Sequence, residues 1–114
     1  MIARGLRFHG YGSLNYVYKH GQTVRGTMLS IRYHLNERRS KPRIAVVVSK
    51  KVHKSAVVRN RIRRRVYEII REHEPAINGA YDIIISIFSD QVAVMPHSEL
   101  AKMITAQLQK AKIV

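Results

Sequence analysis

Cysteine is absent from these 114 residues. Disulfides and thiolate metal sites are therefore excluded, and a reducing, cytoplasmic setting is the expectation. No apolar run is long enough to span a bilayer, and the first residues lack the apolar stretch of an export leader. A soluble chain with no membrane partner is expected. Acids are scarce, seven against 21 Lys and Arg, and they sit late in the chain. Through residue 67 there are 17 basic residues and one acid, Glu37; beyond it there are four and six. One part of the molecule is a cation and the rest is close to neutral. A compact domain with this much like charge repels itself, so a polyanion is its natural counterweight. Nucleic acid is the first candidate and an anionic membrane the second.

What is present supports a folded core. Apolar content is 46%, near the average for globular chains. The length suits one domain over residues 1–114, with residues 1–12, basic and Gly-rich, as a flexible arm. Ser13 is positioned to N-cap a short helix with Leu14, Val17 and Tyr18 at helical spacing and Gly21 as its stop. Thr23 to Leu35 alternates in places, with Leu29, Ile31 and Tyr33 on one side and Met28, Ser30 and Arg32 on the other. Residues 36–42 form a charged turn. The β-branched run Ile44 to Val48 reads as an interior strand. A helix follows from about Val57 to His73, because Val58, Ile62, Val66, Ile69 and Ile70 fall on one stripe. Tyr81 to Phe88 reads as a buried strand. A last helix opens near Pro96, with Ser98 a candidate cap and Leu100, Met103, Ile104 and Leu108 inward. The fold class is α+β, a small sheet of about four strands with three helices, in the order α-β-β-(β)-α-β-α.

The informative stretch runs from Ser49 to Arg65. At about 100° per residue, Arg64 and Asn60 point away from Ile62, Arg61 and Arg63 stand to either side, and Arg59 and Arg65 flank the apolar stripe. Five arginines at this density repel one another along a helix, and relief begins only at Glu68 and Glu72. A solvated helix face usually mixes signs. This one reads instead as a guanidinium array for phosphates, since the planar fork binds phosphate oxygens in pairs. Asn60 adds a donor and acceptor for a 2′-hydroxyl or a base edge. Lys50, Lys51 and Lys54 extend the positive surface, and Ser55 marks a helix start whose free N–H groups attract phosphate.

Arg59-Asn60-Arg61, followed by Ile62-Arg63-Arg64, closely resembles the signature of the bacterial ribonuclease P protein family. It follows a strand ending in Ser49-Lys50-Lys51, as in that family. Tyr16 to Gly21 resembles the family's first helix and stop, and Tyr81 to Ile84 its last strand. The likeness runs from about Leu6 to Leu108. Two features depart from the pattern: the stretch from Lys51 to Arg59 is one residue longer, and Leu14 stands where an aromatic is common.

The resemblance implies a subunit of an endoribonuclease that removes the 5′ leader of precursor tRNA and broadens substrate range. It implies that catalysis and Mg2+ belong to the RNA subunit, with no catalytic or metal-binding residue in the protein. The implied partners are that catalytic RNA and precursor tRNA, without an obligate protein partner. It implies the fold of the second domain of a small-subunit ribosomal protein, with a left-handed β-α-β crossover. The arginine helix, with Lys50, Lys51, Lys54, Arg59, Asn60, Arg61, Arg63, Arg64 and Arg65, would hold the catalytic RNA. A cleft between the sheet and the first helix, with Phe8, Tyr16, Tyr18, Arg32 and Tyr33 as candidates and Lys50 nearby, would hold the leader. Rings there stack on bases of any sequence.

Read without the resemblance, the residues point the same way. Glu37 lies among Arg38, Arg39 and Lys41, the other acids are scattered, and the six histidines lack metal-ligand spacing. A ribosomal or ribosome-associated RNA-binding protein remains the alternative. A membrane-surface helix would need bulky apolar residues opposite the charges. A DNA-binding helix-turn-helix would need a helix where the strand and Lys-rich turn stand.

Overall fold

A computed structural model describes residues 11–36 and 41–114, with side chains from residue 16 onward. Its elements are α1 (Tyr11–His20), β1 (Gln22–Arg25), β2 (Leu29–Leu35), β3 (Arg43–Val47), α2 (Ala56–His73), β4 (Tyr81–Ile87) and α3 (His97–Lys110). Single 3-10 turns lie at Glu74–Ala76 and Asp90–Ala93. The sheet order is β1-β2-β4-β3; β1–β2 and β2–β4 are antiparallel, and β3–β4 are parallel. Strand β3, α2 and β4 thus form a β-α-β unit, and β1–β2 is a hairpin on its far side. This is the expected α+β arrangement.

Side chains alternate across the sheet, so register decides which residues meet. Leu29, Ile31, Ile44, Val46, Ile83, Ile85 and Ile87 share one face and join Ile62, Val66, Ile69 and Ile70 of α2 and Leu100, Ile104 and Leu108 of α3 in the main core. Burying each large apolar chain contributes about 1.5–3 kcal/mol. The other face carries a smaller cluster, in which Val17 of α1 packs on Ala45 and Ile84. Helix α1 therefore covers the side of the sheet opposite α2 and α3.

Several local expectations need correction. The first helix begins at Tyr11, so residues 11 and 12 do not belong to an arm and Ser13 lies inside the first turn, not at the cap. The alternating segment from Thr23 is two strands, because the chain reverses at Gly26 and Gly26 N–H bonds to Leu29 O at 2.9 Å. Strand β3 is an edge strand, not an interior one. Its apolar character reflects cover on both faces, and its outer backbone is satisfied from the side: the Tyr67 hydroxyl accepts from Val46 N–H at 3.3 Å and donates to Ile44 O at 3.5 Å. Helix α3 has Pro96 as N-cap with no side-chain cap bond, and Ser98 is its second residue. Ser55 does cap α2, accepting from Val58 N–H at 3.4 Å.

Two contacts fix the α1 end of the sheet. Gly21 N–H bonds to Val17 O at 2.7 Å. A Cβ at Gly21 would lie 2.6 Å from Val17 O and 2.8 Å from Tyr33 O, so only glycine lets helix and sheet come this close. At the start of β3, buried Asp82 takes the Arg43 guanidinium in a two-point pair, both contacts 2.9 Å, and accepts from Asn36 Nδ2 at 3.1 Å. The carboxylate raises the Arg43 pKa through that hydrogen bond.

Candidate nucleic-acid interface

The arginine array lies on α2 as its spacing predicts, but the arginines differ in what they touch. Asn60, Arg61 and Arg64 are exposed. Arg59, Arg63 and Arg65 are half-buried and braced on the protein. Arg59 Nη1 donates to His53 O at 3.0 Å and Lys54 O at 2.8 Å. Arg63 donates to Asn60 Oδ1 at 2.6 Å and to Val48 O at 3.4 Å. Arg65 donates to Val92 O at 2.6 Å and Met95 O at 2.5 Å, holding the turn between β4 and α3 against α2.

A guanidinium has five N–H donors, so a braced arginine keeps donors for phosphate while its orientation is set in advance. Burial, with the neighbouring Arg61 charge second, lowers the Arg65 pKa. Beside these residues lies a shallow cavity of about 380 Å³ walled by Arg61, Arg64, Arg65, Glu68, Glu72 and His97. The spacing did not reveal His97, which arrives from α3.

The turn before α2 carries exposed Lys50, Lys51 and Lys54. The stretch between Lys51 and Arg59 is held in hydrogen-bonded turns: Val52 N–H bonds to Ser49 O at 3.1 Å and Ser55 N–H to His53 Nδ1 at 3.0 Å. Three exposed lysines thus precede the positive end of α2, whose first N–H groups lack helical partners.

On the opposite face, Tyr16 and Tyr18 are 52% and 41% exposed while Val17 between them is fully buried. Packing therefore accounts for Val17 and leaves both rings toward solvent. The Tyr16 ring lies 4.3 Å from that of His20 and 5.2 Å from that of His34. Arg32 anchors this wall: Nε donates to Val17 O at 3.1 Å, Nη1 to Thr23 Oγ1 at 2.8 Å, and Nη2 to Tyr18 O. It ties the end of α1 to the sheet beside the two tyrosines.

Tyr33 does not belong with them. Strand alternation turns it to the α3 side, where its hydroxyl donates to Gln22 Oε1 at 3.0 Å and its ring meets Tyr81. Phe8 lies outside the described residues, as does the segment with Glu37, Arg38 and Arg39. Phe88, 56% exposed, follows β4 on the α1 side and was missed, because a terminal aromatic of an apolar strand looks like core. Among the described residues, no three His, Cys, Asp or Glu side chains gather as metal ligands. Among them too, no helix is long and apolar enough to cross a membrane.

Braced and free guanidiniums on one side of a mixed sheet, with exposed rings on the other, define a small α+β RNA-binding protein. The family model for ribonuclease P matches residues 3–112. A relative from Pseudanabaena sp., a ribonuclease P protein component, is 36% identical over 98 residues, covering 85% of this chain and 83% of its own. The RNase P protein of Staphylococcus aureus superposes with a TM-score of 0.84 at 26% identity, covering 95% of this chain and 96% of its own. That of Thermotoga maritima, at 19% identity and TM-score 0.81, covers 91% and 96% and shares the fold. This chain belongs to the ribonuclease P protein family. It is the protein component of an endoribonuclease of tRNA processing and partners ribonuclease P RNA.

Proposed function

We propose that α2 and the Lys-rich turn grip the catalytic RNA, while the α1 side of the sheet holds the single-stranded 5′ leader of precursor tRNA. The observation that carries this reading is the division of the surface. Five arginines and three lysines gather at α2 and its N-terminal turn, and two exposed tyrosines flank buried Val17 on the opposite side of the sheet. The first surface suits the dense phosphates of a folded RNA, and the second suits bases that are free to stack.

Hydrolysis, in this reading, belongs to the RNA and its Mg2+. Two carboxylates beside these surfaces support it, since they are bound to guanidinium groups: Asp82 to Arg43 and Glu68 to Arg71, each at 2.9 Å. A hard cation instead needs converging oxygens. The chain acts as a single RNA-binding domain in the cytoplasm; the basic arm expected over its first ten residues lies outside the described residues.

The test is cleavage of a precursor tRNA by cognate RNA at low Mg2+, with and without the protein. The protein should restore cleavage that the RNA alone loses, and should cleave nothing by itself. Cleavage by the protein alone, or no gain on adding it, contradicts the reading.

A further inference from the structure

At the β1–β2 edge, away from α2, a groove of about 560 Å³ lies between the end of α3 and the end of α1. Its walls include Tyr33 and Tyr81, whose rings meet edge-on at 6.1 Å, together with His20, His34, Lys110 and Lys112. Among the described residues, no carboxylate lines it. Asp82, opposite His34 in the β2–β4 register, is neutralised by Arg43.

Lys112 is the unusual member. It follows α3 with φ of 60°, the left-handed conformation that favours glycine. The bonds there form a complete Schellman turn: Lys112 N–H to Gln109 O at 2.9 Å and Ile113 N–H to Leu108 O at 3.1 Å. Glycine is the stable choice at this position, so lysine here carries a cost to the fold. What lysine adds is an ammonium group at the mouth of the groove.

The end of a helix ordinarily repels anions through its free carbonyls. Here two of those carbonyls, Leu108 O and Gln109 O, are occupied by the Schellman bonds. Beyond the helix, Asn78 Nδ2 donates to Lys112 O at 3.0 Å and Asn78 N–H donates to Ile113 O at 2.9 Å. The positive side chains of Lys110 and Lys112 thus meet less opposition from this helix end. The groove also adjoins the α1 surface, since His20 and His34 line it and both rings lie against that of Tyr16, the first tilted and the second edge-on.

We infer that this groove is a second RNA subsite, which takes one nucleotide of a single strand leaving the α1 face, its base beside Tyr33 and Tyr81 and its phosphate on Lys110 and Lys112. The volume falls within the roughly 300–1,000 Å³ of small-ligand sites. The inference rests on the leader reading above for the path of the strand, and on the groove for the chemistry.

The experiment measures binding of fluorescein-labelled oligouridylates of roughly 4 and 12 nucleotides to the full chain, lengths within the span of single-strand sites. Lys110→Ala with Lys112→Gly should weaken the longer oligomer about three- to tenfold and leave the shorter one unchanged. Its melting temperature should be unchanged or higher, because Lys112→Gly relieves the left-handed residue. Lys41→Ala with Lys102→Ala removes equal charge elsewhere and should cost less than about twofold on either oligomer. Equal losses on both lengths, no loss on either, or a matching loss in the control pair overturns the inference. Tyr18→Ala serves as the separate check of the α1 surface. If it weakens neither oligomer, the leader reading falls, whereas the length-selective loss decides the groove.

Discussion

Replacing Arg65 with alanine should damage the fold, whereas replacing Arg61 should damage only RNA binding. Arg65 is half-buried and donates to two backbone carbonyls, Val92 O and Met95 O, at 2.6 and 2.5 Å. Hydrogen bonds to a charged group contribute about 1.5–3 kcal/mol each, but water replaces part of that where the carbonyls become accessible. A net loss of about 2–3 kcal/mol follows. At about 4 °C per kcal/mol for a chain of this size, the melting temperature should fall by about 8–12 °C.

Arg61 is exposed, one helical turn before Arg65, whose pKa is lowered by burial and then by the Arg61 charge. Removing it relieves a like-charge i, i+4 pair, so Arg61→Ala should melt within about 2 °C of the parent, or slightly above it. It should weaken assembly with ribonuclease P RNA by about 1–3 kcal/mol if its contact is two-pronged. Thermal melts by circular dichroism and a binding titration, run on both variants, decide the matter. An Arg65→Ala protein that melts like the parent and loses RNA affinity as Arg61→Ala does would refute the division into braced and free arginines.

Two further outcomes follow from the same geometry. Arg43→Ala leaves the buried Asp82 carboxylate without its guanidinium, and a stability loss of about 3–5 kcal/mol is expected in urea unfolding; a loss under 1 kcal/mol would show that the pair does not hold β3. For RNA affinity, log Kd should rise with log salt by about 0.7–0.9 per phosphate neutralised, and a flat response would remove phosphates as the main target.

Much of this was legible in the sequence. The 3.6-residue stripe of Val58, Ile62, Val66, Ile69 and Ile70 marks α2, and the β-branched runs mark β3 and β4, because both periods report which side is covered. The Arg-Asn-Arg unit could be set on the outer face of α2 from spacing alone. What could not be read depends on partners distant in the chain. A β-branched run looks the same at the edge of a sheet as in its middle when helices cover both faces, so β3 was read as interior. Alternation alone sends the neighbours Arg32 and Tyr33 to opposite faces of β2, but the sequence does not say which of those faces α1 covers. The acceptors that brace Arg59 and Arg65 are backbone carbonyls, which leave no mark in composition. The groove at the β1–β2 edge draws on four separate segments, and its histidines have no telling spacing.

The central claim is that the chain has two RNA surfaces on opposite sides of one sheet, and a comparison of Arg61→Ala with Tyr18→Ala tests it most directly. Each variant is measured for assembly with ribonuclease P RNA and for binding of precursor tRNA with its leader, against mature tRNA without one. Tyr18 is 41% exposed, so its removal should leave the melt nearly unchanged. Arg61→Ala should weaken assembly whatever the substrate. Tyr18→Ala should leave assembly intact and weaken only leader-bearing substrate, by about 1–3 kcal/mol, the scale of one base–aromatic stack. If both variants reduce both quantities alike, the two surfaces are one and the account is wrong.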